Sequence, residues 1–96
     1  MKRKKLSKKK INKLLKSREM NWNYEKGFLK KTFEFESFTA AFSFMTAVAF
    51  EAEKMNHHPN WSNVYNRVDI HLQTHDTGGV TGLDFELASL CDRAAR

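Results

Sequence analysis

The spacing of apolar residues along the chain predicts three helices. Leu6, Ile11, Leu14 and Leu15 lie close to one helical stripe, and Ser7 is placed as an N-cap. A second stripe follows Ser37 at three- and four-residue steps and predicts a helix to about Met55, with these residues in the core: Phe38, Ala41, Phe42, Met45, Val48, Ala49 and Ala52. A third helix is predicted to start at Thr81-x-x-Asp84, a capping-box pattern.

Two pairs of β-favouring runs lie between the predicted helices. The first pair flanks Glu25-Lys26-Gly27, where glycine permits the positive φ of a tight hairpin. The second pair follows Pro59, and its latter strand carries Val68, Ile70, Leu72 and Thr74 on one face and Asp69, His71 and Gln73 on the other. The predicted order is therefore helix, two strands, helix, two strands, helix.

This order predicts an α+β fold, with a four-stranded antiparallel sheet and the helices packed on one face. A chain of 96 residues with 41% hydrophobic residues is long enough for one small domain. The other sheet face and the sheet edges would remain uncovered, so we expect a homo-oligomer.

The formal net charge of +6 is concentrated at the N-terminus. Residues 1–18 contain ten Lys or Arg and no acidic residue, whereas the remainder has a net charge of −4. We predict a basic tail over residues 1–5 and a single domain over residues 6–96. A lysine-rich first helix could contact nucleic acid, but no aromatic residue is interleaved with the lysines, so we do not expect that partner.

The distribution of apolar residues shows no targeting signal and no membrane-spanning segment. No apolar segment follows the charged N-terminus, and no run approaches 18 consecutive apolar residues. We therefore expect a cytoplasmic protein without a membrane partner. Its lone cysteine, Cys91, cannot form an internal disulfide.

The segment "MNHHPNW" places two histidines directly before the only proline. His57 and His58 end a predicted helix and His75 ends a predicted strand, and such ends are where pockets form. The spacing provides no closed set of metal ligands, so we expect no metal. Histidine titrates near neutral pH, which favours proton transfer at these positions. If the helix continued, Glu53 would lie four residues before His57 and could orient its ring.

Other residues near the histidines allow either packing or binding. His71 lies mid-strand, opposite the apolar face, and is expected to pack. Trp61 and Tyr65 could stack on a flat heterocycle, although aromatic residues on strands mostly pack.

These residues also match a spaced signature. It consists of an acidic residue, His-His-Pro, an aromatic residue, a further His and an Asp, and the chain supplies Glu53, His57, His58, Pro59, Tyr65, His75 and Asp84. With "HHPNWSNVYNRV" and "THDTGGVTGLD", the chain resembles the pterin-4a-carbinolamine dehydratases over roughly residues 6 to 95.

The resemblance implies a function and roles for individual residues. The substrate would be a 4a-hydroxytetrahydropterin, dehydrated to quinonoid dihydropterin during tetrahydrobiopterin recycling, without a metal or organic cofactor. The chain would form a homodimer or homotetramer. The catalytic residues implied are His57, His58 and His75, with Glu53 and Asp84 as supporting carboxylates. Together with the possible stacking residues, the predicted substrate-binding residues are Glu53, Pro59, Trp61, Tyr65 and Asp84. Some animal members also act as dimerisation cofactors of a transcription factor, so a protein-interaction module is the main alternative. Nucleic-acid binding through the lysine-rich helix is another.

Overall fold

The computed structural model describes residues 3–96, which form three helices and four strands in the predicted order. These elements are α1 (Lys8–Ser17), β1 (Asn23–Glu25), β2 (Phe28–Glu34), α2 (Phe38–Met55), β3 (Asn60–Val64), β4 (Arg67–Leu72) and α3 (Gly82–Ala94). A single 3₁₀ turn, His75–Thr77, connects β4 to α3. The α+β class is confirmed.

The four strands form one antiparallel sheet with the order β1-β2-β4-β3. The first hairpin turns at Lys26 and Gly27, whose φ angles of 52° and 85° are both positive. Glycine adopts this conformation without a steric penalty, which explains its place there. The long-range β2–β4 pairing then joins the two hairpins at the centre of the sheet.

The two faces of the sheet differ as the alternation predicts. Val68, Ile70 and Leu72 are fully buried and face the helices. The opposite face is polar, with Thr32 paired to Asp69 at 2.6 Å between the hydroxyl and carboxylate oxygens. That hydrogen bond and the adjacent Arg67 hold the pKa of Asp69 below its usual value.

Side-chain caps fix where the helices begin. The Ser7 hydroxyl accepts the Lys10 N–H at 3.1 Å, and the Ser37 hydroxyl accepts the Ala40 N–H at 3.0 Å. At α3 the cap is Thr81, as the sequence predicts. Each cap satisfies a backbone donor that the first helical turn leaves without a partner.

The predicted core stripe of α2 is partly wrong. The buried residues are Ala41, Phe44, Val48 and Ala52. Phe38 and Phe42 are instead 49% and 53% exposed, and Ala49 is exposed. Apolar residues occur on several sides of this helix, and the side containing Phe44 packs against Phe33 and Phe35. The tertiary packing therefore selects a stripe displaced from the one chosen by spacing alone.

The described part of the predicted tail, residues 3–5, contacts the folded body. The Leu6 N–H donates to the Val80 carbonyl at 2.8 Å. The Lys5 side chain lies over Gly79, where a Cβ would come within 2.7 Å of its Cε. Residues 1 and 2 lie outside the described residues, and the domain boundary at residue 6 stays a prediction. No helix within residues 3–96 is both long and apolar enough to span a bilayer.

Candidate active site

A cleft of about 290 Å³ lies where the end of α2 meets the loop between β4 and α3. This volume is near the lower end of the roughly 300–1,000 Å³ typical of small-molecule sites. All three predicted catalytic histidines border it. The lining residues are Arg3, Asn56, His57, His58, Gln73, Thr74, His75 and Asp76.

The C-terminus of α2 places the two adjacent histidines. Asn56 adopts the left-handed conformation, with φ 53°, and its N–H donates to the carbonyls of Ala52 and Glu53. The His57 N–H also donates to the Ala52 carbonyl, at 3.0 Å. These bonds satisfy carbonyls of the last helical turn and end the helix. His57 then lies in the interior, 7% exposed, whereas His58 is exposed.

His57 is hydrogen-bonded to a buried carboxylate. Its Nε2 lies 2.7 Å from Oδ1 of Asp84, which is completely buried. The other carboxylate oxygen of Asp84 accepts the Thr81 N–H and the Thr74 hydroxyl, both at 2.9 Å. These donors, together with the N-terminus of α3, offset the cost of removing the carboxylate from water.

The proton positions in this cluster follow from its acceptors. Thr74 has one hydroxyl proton, and it donates that proton to Asp84. The 2.6 Å contact between the Thr74 and Thr81 hydroxyl oxygens must then be donated by Thr81. Thr81 in turn accepts the Leu83 N–H at 3.2 Å. No buried side-chain polar atom among residues 3–96 is left without a partner.

Glu53 is paired with His58 and not with His57. Its carboxylate oxygen lies 2.8 Å from Nε2 of His58, and both side chains are exposed. The expectation that Glu53 would orient His57 assumed that α2 continues past Met55, and it is therefore wrong. The helix ends at Met55, which moves His57 off the face that carries Glu53.

His75 is held by its backbone and has a free ring. The Thr74 N–H donates to the Gly79 carbonyl at 2.8 Å, which closes a short loop with Gly78 at φ 67°. His75 begins the 3₁₀ turn within this loop and is exposed to the cleft. Within residues 3–96 its ring makes no side-chain hydrogen bond, so both ring nitrogens are available to a ligand.

The described residues offer little to a metal ion. No group of three His, Cys, Asp or Glu within residues 3–96 is placed to hold one. Cys91 is fully buried on α3, and burial raises the pKa of its thiol to about 12, so the reactive thiolate is scarce at neutral pH.

Comparison with known proteins identifies the family. The family model described as pterin 4 alpha carbinolamine dehydratase matches residues 4–94. The chain belongs to the pterin-4a-carbinolamine dehydratase family. A Rhizobium meliloti relative is 59% identical over 69 residues, which cover 72% of this chain and 66% of the relative. A Synechococcus relative is 57% identical over 72 residues, which cover 75% of this chain and 77% of the relative. Both relatives are named pterin-4-alpha-carbinolamine dehydratase, and in both cases the name is provisional.

A solved structure resembles the whole fold. It is the crystal structure of a Brucella melitensis protein named transcriptional coactivator/pterin dehydratase. The TM-score is 0.91 at 38% identity, covering 97% of this chain and 100% of that chain. A pterin dehydratase-like RuBisCO assembly factor shares the fold at 24% identity, with a TM-score of 0.65.

Three further residues of the predicted site lie away from the cleft wall. Pro59 follows His58 and is half-buried. Trp61 lies on β3 opposite Ile70 and packs against the core. Tyr65 lies in the β3–β4 turn, with φ 50°, and is 64% exposed. Within one chain the cleft does not include these three residues, and their contact with substrate stays a prediction.

The sequence did not predict several residues of the cleft. These are Arg3, Asn56, Gln73, Thr74 and Asp76. Thr74 carried a usable signal, because it is the one hydroxyl-bearing residue on an otherwise apolar strand face. Arg3 carried none, since its position depends on how the N-terminal segment docks against the loop after β4.

Proposed function

We propose that the protein dehydrates 4a-hydroxytetrahydropterin to quinonoid dihydropterin by histidine general acid/base catalysis. The observation that carries the proposal is the meeting of three imidazoles at one cleft, one of them backed by a buried carboxylate. Family membership supplies the substrate class. The reaction would serve tetrahydrobiopterin recycling after an aromatic amino-acid hydroxylase has used its pterin.

The reaction needs only two proton transfers. The bond between C4a and its hydroxyl oxygen breaks, and a donated proton lets the oxygen leave as water. The adjacent ring nitrogen, N5, loses its proton, and its electron pair forms the new double bond to C4a. Groups that titrate near neutral pH can perform both steps, and histidine is such a group.

We assign the proton transfers to His57 and His75. When Nε2 of His57 carries its proton, it donates to Asp84 and leaves Nδ1 as a proton acceptor. The same carboxylate would stabilise the imidazolium that forms when Nδ1 takes a proton. His75 also borders the cleft, with an accessible ring, and can supply the complementary step.

We assign His58 to substrate positioning. Glu53 fixes one of its ring nitrogens in solvent-exposed surroundings, where a carboxylate–imidazole pair contributes little to stability. The other nitrogen remains available to hydrogen-bond the pterin. Removal of such a contact would weaken substrate binding more than it slows the chemical step.

The direct test is the rate of quinonoid dihydropterin formation from freshly generated carbinolamine. We expect the protein to accelerate it clearly above the buffer background, and to do so equally after prolonged treatment with a chelator. A rate equal to the background would overturn the proposal. Loss of activity on chelation with recovery on adding zinc would overturn the metal-free mechanism.

A protein-interaction role is the second candidate. The name of the Brucella protein joins coactivator and dehydratase, and Phe38 and Phe42 form an exposed apolar surface on α2. If binding a partner protein is the function, Phe42→Ser should abolish that binding and leave the dehydration rate unchanged. We also propose that the chain forms a homodimer or homotetramer. The cytoplasmic location expected from the sequence stays a prediction.

A further inference from the structure

One wall of the cleft is formed by the N-terminal segment. Arg3 lines the cleft together with the three histidines, although it is more than fifty residues away from them in sequence. Its guanidinium lies 3.5 Å from the Asp76 carboxylate, next to His75. The positively charged side chain of Arg3 therefore lies at the rim of a site whose proposed catalytic and supporting groups are imidazoles and carboxylates.

The backbone and side chains near Arg3 hold it in this place. The Leu6 N–H is bonded to the Val80 carbonyl, which ties the segment to the loop that follows His75. The Lys5 side chain packs over Gly79, where there is no Cβ to obstruct it. Two contacts beyond the Arg3–Asp76 pair thus anchor residues 3–6 beside the cleft.

The contact between Arg3 and Asp76 leaves most of the guanidinium unused. At 3.5 Å it is at the limit of a hydrogen bond, and the two side chains are 57% and 78% exposed. An arginine has five N–H donors and pairs best with two oxygens of one anion. An anionic ligand could therefore bind Arg3 in place of Asp76 or beside it.

The surrounding charge also favours an anion on this side. Residues 3–18 contain nine Lys or Arg and no acidic residue. Among the ion pairs within residues 3–96, the acidic partner of this segment is Asp76. Positive potential around the rim would raise the local concentration of anionic ligands.

We propose that Arg3 is a specificity residue that makes the cleft prefer pterins whose side chain carries an anionic group, a phosphate or a carboxylate. The pterin ring would lie among the histidines and the anionic group would reach the rim. This inference rests on the proposed function for its ligand class. Asp76 opposes the preference, because it competes with the ligand for the same guanidinium.

Two matched ligands test this without relying on turnover. Dihydroneopterin and its monophosphate share one ring and differ by a phosphate, and their dissociation constants can be measured by calorimetry on the full chain. We expect the wild-type protein to bind the monophosphate more tightly. Arg3→Gln should reduce that preference by about three- to tenfold, the range for losing one partly exposed charge-assisted contact. Asp76→Asn should increase it.

Lys4→Gln is the matched control. It removes the same charge one residue away, and Lys4 does not line the cleft. An equal loss of preference in Lys4→Gln and Arg3→Gln would mean that general charge, and not Arg3, attracts the anion, which overturns the proposal. Equal binding of both ligands by the wild-type protein would overturn it as well.

Failure of the proposed function is recognisable separately. If the wild-type protein binds both dihydropterins but does not accelerate carbinolamine dehydration, the proposed catalysis is wrong and the binding preference still decides the role of Arg3. If it binds neither ligand, the proposal for Arg3 fails, and the dehydration rate alone decides the proposed function. Melting temperatures of the three variants close to that of the wild type would show that each change acts locally.

Discussion

Asp84 is the residue on which the site and the fold depend together. It closes the capping box of α3, accepts the Thr74 hydroxyl, and holds Nε2 of His57 at 2.7 Å. Because it is fully buried, each of these donors faces an acceptor that no water can replace. One carboxylate thus links a helix start, a strand end and a proposed catalytic ring.

Asp84→Asn should damage both stability and catalysis. The amide can keep its oxygen for the Thr74 and Thr81 donors and turn its NH₂ group to Nε2 of His57, which must then accept. The charge-assisted hydrogen bonds become neutral ones, at a cost of about 1–3 kcal/mol, and the proton of His57 moves to Nδ1, which can then no longer accept one. His57 would also lose the carboxylate that stabilises its charged form. The free energy of unfolding in urea and the dehydration rate should both fall relative to the wild type.

Asp92→Asn is the control for this prediction. Asp92 is also on α3 and accepts from Lys31 at 2.8 Å and from the Trp22 indole N–H at 3.1 Å, and none of these three residues lines the cleft. We expect it to lower stability and leave the dehydration rate unchanged. If both variants lose activity in proportion to stability, Asp84 has no role beyond folding.

At this scale the sequence predicted the types of residue well and the pairings less well. The capping pattern and the histidine positions identified Asp84, His57, His58 and His75 as important. The pairing of Glu53 with His58 could not be foreseen, because it depends on the residue at which α2 ends. An asparagine in the left-handed conformation determines that end, and its side-chain identity alone only suggests it.

The helices and strands show which signals in the sequence are strong. Caps at Ser7, Ser37 and Thr81 and the turn at Gly27 act through local hydrogen bonds or backbone freedom, and all four were predictable. The buried stripe of α2 was not, because Phe and Ala residues occur on several sides of it. Only the position of the sheet and α3 decides which side is covered.

Gly27→Ala should destabilise the first hairpin. Gly27 has φ 85°, and a Cβ there would lie 3.2 Å from Nε2 of Gln73, whose amide donates to the Gly27 carbonyl. Strain and crowding together should lower the free energy of unfolding by about 1–3 kcal/mol, measured in urea.

Lys26→Gly provides the opposite case in the same turn. Lys26 already adopts a positive φ of 52° despite its Cβ, so glycine should leave stability unchanged or raise it slightly. Equal stability of Gly27→Ala and the wild type would show that the hairpin tolerates an ordinary residue and that the positive φ is not required.

The whole molecule has a covered and an uncovered side. The helices cover one face of the sheet, and the other face is rich in charged residues such as Lys30, Arg67 and Asp69. The outer side of α2 exposes Phe38 and Phe42, and Phe50 is 67% exposed. The sequence predicted an uncovered sheet face. The exposed apolar surface lies instead on α2, and it was not predicted because the apolar spacing had assigned Phe38 and Phe42 to the core.

We expect light scattering at micromolar concentration to give a mass above that of the 11.2 kDa monomer. Burial of the exposed α2 residues would supply the driving force, since large apolar patches are rare on monomers. Phe42→Asp should lower the mass, whereas Asn12→Asp, an exposed position on α1, should not. A monomer mass for the wild-type chain would contradict the expectation.

The proposed transfer of the dehydration protons by His57 and His75 is tested most directly by the catalysed rates of their alanine variants. We predict that His57→Ala and His75→Ala each lower the rate by about 10²–10⁴-fold, as expected for removing a positioned proton carrier, down to the uncatalysed background. His58→Ala should mainly raise KM. His71→Ala, on the polar sheet face beside Phe28, should retain the rate within a few fold. If His57→Ala and His75→Ala both fold normally and keep a near-wild-type kcat, the assignment of proton transfer to these histidines is wrong.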